Sequence, residues 1–193
     1  MVDSNQLIEI RWHGRGGQGA VTSAELMARA AISEGKYAQA FPSFGPERRG
    51  APVMAFVRIS EQQPVRIRAD IREPDVVVVL DPSLMSIVDI ASGLKPAGMV
   101  VLNTRKDAGQ ISEDLGINSP LALVDATGIA REVLGLPITN TTMVGALIKA
   151  TGVVGLGSMM EPLKLRFGRL ADRNIDAMRR AYEETVVRSG HSG

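Results

Sequence analysis

The run Val76–Leu80 (VVVVL) constrains the fold more than any other segment of this 193-residue chain. Four successive β-branched residues followed by leucine leave no polar face, so the segment reads as a central strand covered on both sides. Met99–Leu102 (MVVL) and Leu121–Val124 (LALV) repeat the signal more weakly, and Leu7–Trp12 (LIEIRW) alternates like a strand before running into glycine. Tyr37–Phe41 and Val53–Ile59 also read as strands. Between them the pattern turns helical: Ala20–Ser33 is Ala-rich, unbroken and closed by Gly35. Helices are expected at Ser83–Ile90 and Ala126–Leu134.

Beyond Pro137 the strand signals cease, and Thr141–Ala150, Met159–Phe167 and Ile175–Val187 read as helices. This alternation predicts an α/β chain: a single Rossmann-like three-layer domain over residues 1–193, with a mostly parallel sheet and a helical C-terminal part at 137–193. The three apolar runs end in Asp81, Asn103 and Asp125. Open α/β sheets form their ligand crevice at such carboxyl ends.

Composition removes whole classes of chemistry. The chain has no cysteine, which excludes a thiolate-bound iron–sulfur cluster, a Cys-type zinc site, a thiol nucleophile and a dithiol redox couple. His13 and His191 alone do not make a His-rich metal site. A chain of this length buries about 70% of its unfolded surface and needs no such staple. The net charge is +1, so neither nucleic-acid binding nor an acidic tail is expected. Only five of the 22 basic residues are lysines (Lys36, Lys95, Lys106, Lys149 and Lys164); the rest are arginines, which fork onto carboxylates and phosphates. The opening MVDSNQLIEIRW lacks a signal-peptide core and no run reaches membrane-span length, so a soluble, cytoplasmic protein is expected.

Trp12–Ala20 (WHGRGGQGA) carries the most chemistry. Gly14, Gly16 and Gly19 satisfy G-x-G-x-x-G between an expected strand and an expected helix. Glycines there let a ligand approach the backbone, and the N–H groups at the helix start favour an anion. A tight strand-to-helix turn with no ligand is the alternative. The dinucleotide fingerprint also needs an acid about 20 residues on, to hold ribose. The corresponding Tyr37–Gly45 stretch (YAQAFPSFG) has none, which disfavours an NAD-type site. No G-x-x-x-x-G-K-[ST] occurs, so a P-loop is excluded.

Phe41–Pro52 (FPSFGPERRGAP) is a second, stiff loop whose charges are Glu47, Arg48 and Arg49. Adjacent arginines suit a phosphate or a partner carboxylate; an internal Glu–Arg pair is the other reading. His13 has no Ser, Asp or Cys placed to complete a catalytic constellation, and a structural role is the simpler one. Asn140, Thr141 and Thr142 most simply cap a helix. The thiamine diphosphate motif, G-D-G with a downstream Asn, is missing.

WHGRGGQGA, the Ala-rich helix, FGPERRGAP and PDVVVVLD in this order resemble the gamma subunit of 2-oxoacid:ferredoxin oxidoreductases, over roughly Ile8–Ala150. Pyruvate and 2-oxoisovalerate enzymes are the nearest types, and phenylglyoxylate dehydrogenase is a related one. The resemblance implies an assembly that decarboxylates a 2-oxoacid, passes electrons to ferredoxin or another acceptor, and transfers the acyl group to coenzyme A. It further implies that thiamine diphosphate, magnesium and the iron–sulfur clusters sit on partner alpha, beta and delta subunits. This chain would then hold no complete active site. The candidate cofactor-binding residues are Gly14, Arg15, Gly16, Gly17, Gln18, Gly19, Glu47, Arg48, Arg49 and Asn140, with coenzyme A as the candidate ligand of the glycine loop. Docking of both loops on partner subunits is the competing expectation, and a stand-alone Rossmann-type nucleotide-binding oxidoreductase is the reading from another class.

Overall fold

The apolar runs form the middle of the sheet. In the computed structural model, which describes residues 7–43 and 49–190, β1 (Ile8–Arg15) lies parallel to a later strand, Val76–Val79. The intervening strands are β2 (Tyr37–Pro42) and β3 (Pro52–Ser60), so Val76–Val79 is β4. β5 (Met99–Asn103) and β6 (Leu121–Val124) extend the parallel set, with Val76 opposite Met99 and Val100 opposite Leu121. β7 (Val186–Arg188) closes one end, and the order is β2-β3-β1-β4-β5-β6-β7. β3 runs antiparallel to both β1 and β2, and β7 antiparallel to β6. Five of the seven strands therefore point the same way.

Two cores flank this sheet, and strand alternation decides which residue joins which. Ile10, Trp12, Val76, Val78, Val101 and Ala122 face a thick helical layer. That layer comprises α1 (Ala20–Ser33), α3 (Ala126–Leu134), α4 (Asn140–Thr151), α5 (Met160–Phe167) and α6 (Ala171–Glu184). Ala24, Ala30 and Ala31 of α1 are wholly buried, and their small side chains let the helix sit close on the sheet. Val77, Val79, Val100, Leu102, Leu121 and Leu123 face a thinner layer, made by residues 82–94 and α2 (Ala108–Leu115). Each fully buried Val or Leu in these layers contributes on the order of 1.5–3 kcal/mol.

Two expectations are corrected and one helix is added. Ser83–Ile90 is not an α-helix; a 3-10 turn spans Pro82–Ser86 and Ile87 has left helical geometry (φ −129°). Leu84 and Ile90 are both buried in the same core. Six residues apart on an α-helix they would point about 120° apart, and the irregular path of residues 82–94 brings both into one core. The helix expected to reach Val187 stops at Glu184, and the chain then pairs with β6, with Val187 opposite Ala122. Three consecutive β-branched residues, Thr185, Val186 and Val187, favour that switch, so strand structure does not end at Pro137. Finally, α2 had not been foreseen. Asp107 Oδ1 accepts from the Gln110 N–H (3.0 Å), Gln110 Oε1 accepts from the Asp107 N–H (3.3 Å), and Gly116 closes the helix. Its D-x-x-Q capping box is a helix-start signal.

Candidate ligand crevice at the switch point

β1 and β4 are parallel neighbours whose chains leave the sheet towards opposite faces. After β1 the glycine loop leads to α1 in the thick layer, and after β4 Pro82–Ser86 crosses into the thin one. Such a topological switch point opens a crevice at the carboxyl ends of the two strands. The strand order also explains the missing ribose acid. Antiparallel β3 separates β2 from β1, so the end of β2 is not beside the glycine loop as a dinucleotide site requires.

Gly14 and Arg15 still belong to β1, and the turn proper is Gly16–Gly19. Its path is set by internal bonds: the Gly16 N–H donates to Ala51 O (2.9 Å) and the Gln18 N–H to Arg15 O (2.9 Å). Gly17 and Gly19 adopt φ of +95° and +83°. At Gly19, which caps α1, a side chain would meet Asn140: a Cβ would lie 2.7 Å from its Nδ2 and 3.0 Å from its Cβ. The first turn of α1 has no side-chain cap, so its leading N–H groups have no partner within the helix.

The structure brings the described candidates together. Residues 49–51 of the second loop pair with the glycine loop, through a Gly16–Arg49 bridge and a Gly50 N–H to Gly16 O bond (3.1 Å). Arg49 itself is exposed. Asn140 opens α4 and is only 6% exposed; its Oδ1 accepts from the Thr141 N–H (2.8 Å) and its carbonyl from Ser23 Oγ (3.2 Å). Its Nδ2 has no hydrogen bond to a described residue and lies against Gly19, so α1 and α4 present their N-termini to the same place. Thr142 Oγ1, also in the first turn of α4, is buried without a partner among the described residues. Glu47 and Arg48 lie outside the described residues.

Arg15 is placed differently from a free anion donor. Its Nε donates to Asp81 Oδ2 (3.1 Å), Nη1 to Gly50 O (3.0 Å) and Nη2 to Ser83 Oγ (2.8 Å). Gln18 Nε2 reaches the same Asp81 oxygen (2.8 Å), while Gln18 Oε1 accepts from the Arg15 N–H (2.8 Å). Although desolvation opposes it, hydrogen bonds from Ser83 and Gln18, with the Arg15 charge, hold the Asp81 carboxyl below its usual range. Asp81 marks the expected crevice in the sequence but is not among the binding candidates, and neither is Ser83. The signal was available, since Asp81 directly follows the VVVVL run.

His13 takes no part in this crevice. It is 3% exposed on the thin-layer face of β1, and its Nε2 accepts from Arg11 Nε (3.0 Å). Burial, then the Arg11 charge, push its pKa down to about 3, so it is neutral and structural. Among the described residues no group of three or more His, Cys, Asp or Glu side chains could hold a metal ion.

Fold and site together define an α/β domain with a glycine turn leading into a helix at the switch point of its sheet. The chain belongs to the pyruvate ferredoxin/flavodoxin oxidoreductase family, which it matches over residues 9–184. It is 58% identical over 183 residues to the pyruvate/ketoisovalerate oxidoreductases common subunit gamma of Thermococcus litoralis, covering 94% of this chain and 98% of that one. It is 52% identical over 188 residues to pyruvate synthase subunit PorC of Methanothermobacter marburgensis, with 97% and 100% coverage. The crystal structure of pyruvate oxidoreductase subunit PORC from Thermotoga maritima matches with a TM-score of 0.85 at 41% identity, covering 94% of this chain and 98% of that one. The fold also recurs in 2-oxoglutarate:ferredoxin oxidoreductase from Magnetococcus marinus (TM-score 0.73, 20% identity), covering 92% of this chain and 31% of that one. No helix among the described residues is long and apolar enough to cross a membrane.

Proposed function

We propose that this chain is the gamma subunit of a thiamine diphosphate- and iron–sulfur-dependent 2-oxoacid oxidoreductase acting on pyruvate or a branched-chain relative, and that its glycine loop holds a phosphate of coenzyme A. Full-length identity to gamma and PorC subunits supports the first part. The second rests on one observation: the N-terminus of α1, which has no side-chain cap, and the Asn140 Nδ2, which has no hydrogen bond to a described residue, converge on one half-buried glycine turn.

The residues fit a phosphate. The leading amides of α1 carry the positive end of the helix dipole, which favours an anion by about 0.3–1 kcal/mol, more where partly buried. Asn140 Nδ2 adds a side-chain donor, and Arg49, exposed beside Gly16, adds charge. Arg15 holds the turn rather than the ligand. Coenzyme A, when bound, supplies the thiol that accepts the acyl group, and this chain's part is to bind and orient it. A cysteine-free chain offers no thiolates for iron–sulfur clusters, and the family resemblance implies that those, with thiamine diphosphate and magnesium, sit on alpha, beta and delta partners.

The test is made in the assembled oxidoreductase. Replacing Arg48 and Arg49 by Ala is expected to raise KM for coenzyme A about tenfold, equivalent to about 1.4 kcal/mol of lost binding. An unchanged KM in an intact complex assigns both loops to subunit docking instead. Tight NAD binding by the purified chain would favour a stand-alone nucleotide-binding oxidoreductase.

A further inference from the structure

The glycine turn raises a mechanical question. Gly16, Gly17 and Gly19 give it backbone freedom, and an anion site made of free amides works only if that freedom is removed before the ligand arrives. Gln18 is the only residue of the turn that carries a side chain, and both ends of its amide are used. Oε1 accepts from the Arg15 N–H inside the turn, and Nε2 donates to Asp81. Asp81 sits just beyond β4, a strand buried on both faces. Its Oδ1 accepts from Ser83 N (3.0 Å) and Ser83 Oγ (2.6 Å), and its Oδ2 from Gln18 and Arg15. Arg15 in turn donates to Gly50 O in the second loop. One carboxylate therefore ties both loops to the rigid centre of the sheet.

We propose that Asp81 is a positioning residue for the anion site, fixing the glycine turn through Gln18 and the second loop through Arg15. This rests on the coenzyme A reading above. An Asn at position 81 cannot serve in its place. It has one carbonyl oxygen for two sets of donors, so its NH2 group must face either Gln18 and Arg15 or the Ser83 donors.

The experiment is a double-mutant cycle in the assembled oxidoreductase, with Asp81→Asn, Gln18→Leu, the pair and Arg49→Ala, each checked for intact assembly by native mass spectrometry. Asp81→Asn and Gln18→Leu are each expected to raise KM for coenzyme A roughly tenfold while kcat changes less than about twofold, because binding and not chemistry is lost. The pair is expected to cost no more than the worse single variant, since both break one link. A merely structural role of Asp81 would not give that non-additivity at constant kcat. Multiplying effects, or a raised KM with Asp81→Asn alone, would overturn the link through Gln18. Should Asp81→Asn fail to assemble, Gln18→Leu decides: an unchanged KM overturns the proposal and a raised one supports it. If Arg49→Ala raises KM and the other variants do not, the positioning role fails while the coenzyme A reading stands. If none of them changes KM, the coenzyme A reading itself fails.

Discussion

Arg11 and His13, two residues apart on β1, point to the same buried face and share a hydrogen bond in which the guanidinium Nε donates to the imidazole Nε2 at 3.0 Å. The remaining donors of Arg11 reach main-chain oxygens: Nη2 those of Ile90 (3.0 Å) and Ser92 (2.6 Å), Nη1 that of Ile71 (3.4 Å). A buried cation thus holds the thin layer to the sheet, with a neutral histidine completing its shell.

That arrangement makes folding sensitive to acid. In the unfolded chain His13 takes up its proton near pH 6.5, whereas in the folded protein it does so only near about 3. Between those values the unfolded state binds more protons, so stability falls as pH falls, by up to about 1.4 kcal/mol per unit from this group. Urea unfolding between pH 7 and 5, above most carboxylate titrations, should show the slope. His13→Gln, which can still offer Arg11 an acceptor but does not titrate, should flatten it. An equal slope in both proteins would refute the assignment.

Gly19 meets two demands at once. Its φ of +83° costs an L side chain roughly 1–2 kcal/mol, and its Cβ would strike both the amide and the Cβ of Asn140. Gly19→Ala should therefore lose about 3 kcal/mol in denaturant unfolding. In an Asn140→Gly background the collision is gone and the loss should shrink to the conformational part. If the loss is the same in both backgrounds, the contact with Asn140 does not limit this turn.

Much of the frame was legible because it rests on local pattern. VVVVL could only be a two-sided strand, and the strand–glycine–helix order located the turn between β1 and α1. What stayed hidden depends on distant partners. Gln18 and Asp81 are 63 residues apart, and Asn140 meets a helix that begins 120 residues earlier, so no local spacing joins them. Arg15 stands among the binding candidates in the sequence because its acceptors, Asp81, Ser83 and Gly50, all lie on other segments. The insertion of β3 between β1 and β2 was equally invisible, since a single strand's periodicity does not state its neighbour. Arg11 was unremarkable in LIEIRW because burying it relies on carbonyls from residues 71, 90 and 92.

Gly145 lies in the middle of α4 where it crosses α6. A Cβ there would sit 2.0 Å from the carbonyl oxygen of Met178 and 2.9 Å from its carbon, which are backbone atoms that cannot rotate away. Any side chain must push the helices apart and open the core around Met143, Leu147 and Met178, all wholly buried. Gly145→Ala should cost about 3 kcal/mol or more despite the better helix propensity of alanine. For a domain of this size that is a fall of about 10 °C in Tm by calorimetry. A neutral or stabilising effect would show that α6 is not seated as described.

Asn140→Asp separates the structural duty of this position from its ligand duty. The two side chains have nearly the same shape, and either carboxylate oxygen can keep the bond that Asn140 Oδ1 accepts from the Thr141 N–H. A negative charge at the start of α4, facing the start of α1, is also favoured by both helix dipoles. Tm should therefore be maintained or slightly raised. The Nδ2 donor against Gly19, however, becomes an anionic oxygen at the place where the phosphate is proposed to bind. Like charges there should weaken coenzyme A binding by at least tenfold, read as KM in the assembled oxidoreductase, with kcat at saturation nearly unchanged. A variant with full stability and an unaltered KM would show that Asn140 serves only to bond the Thr141 N–H in the first turn of α4 and fill the space over Gly19.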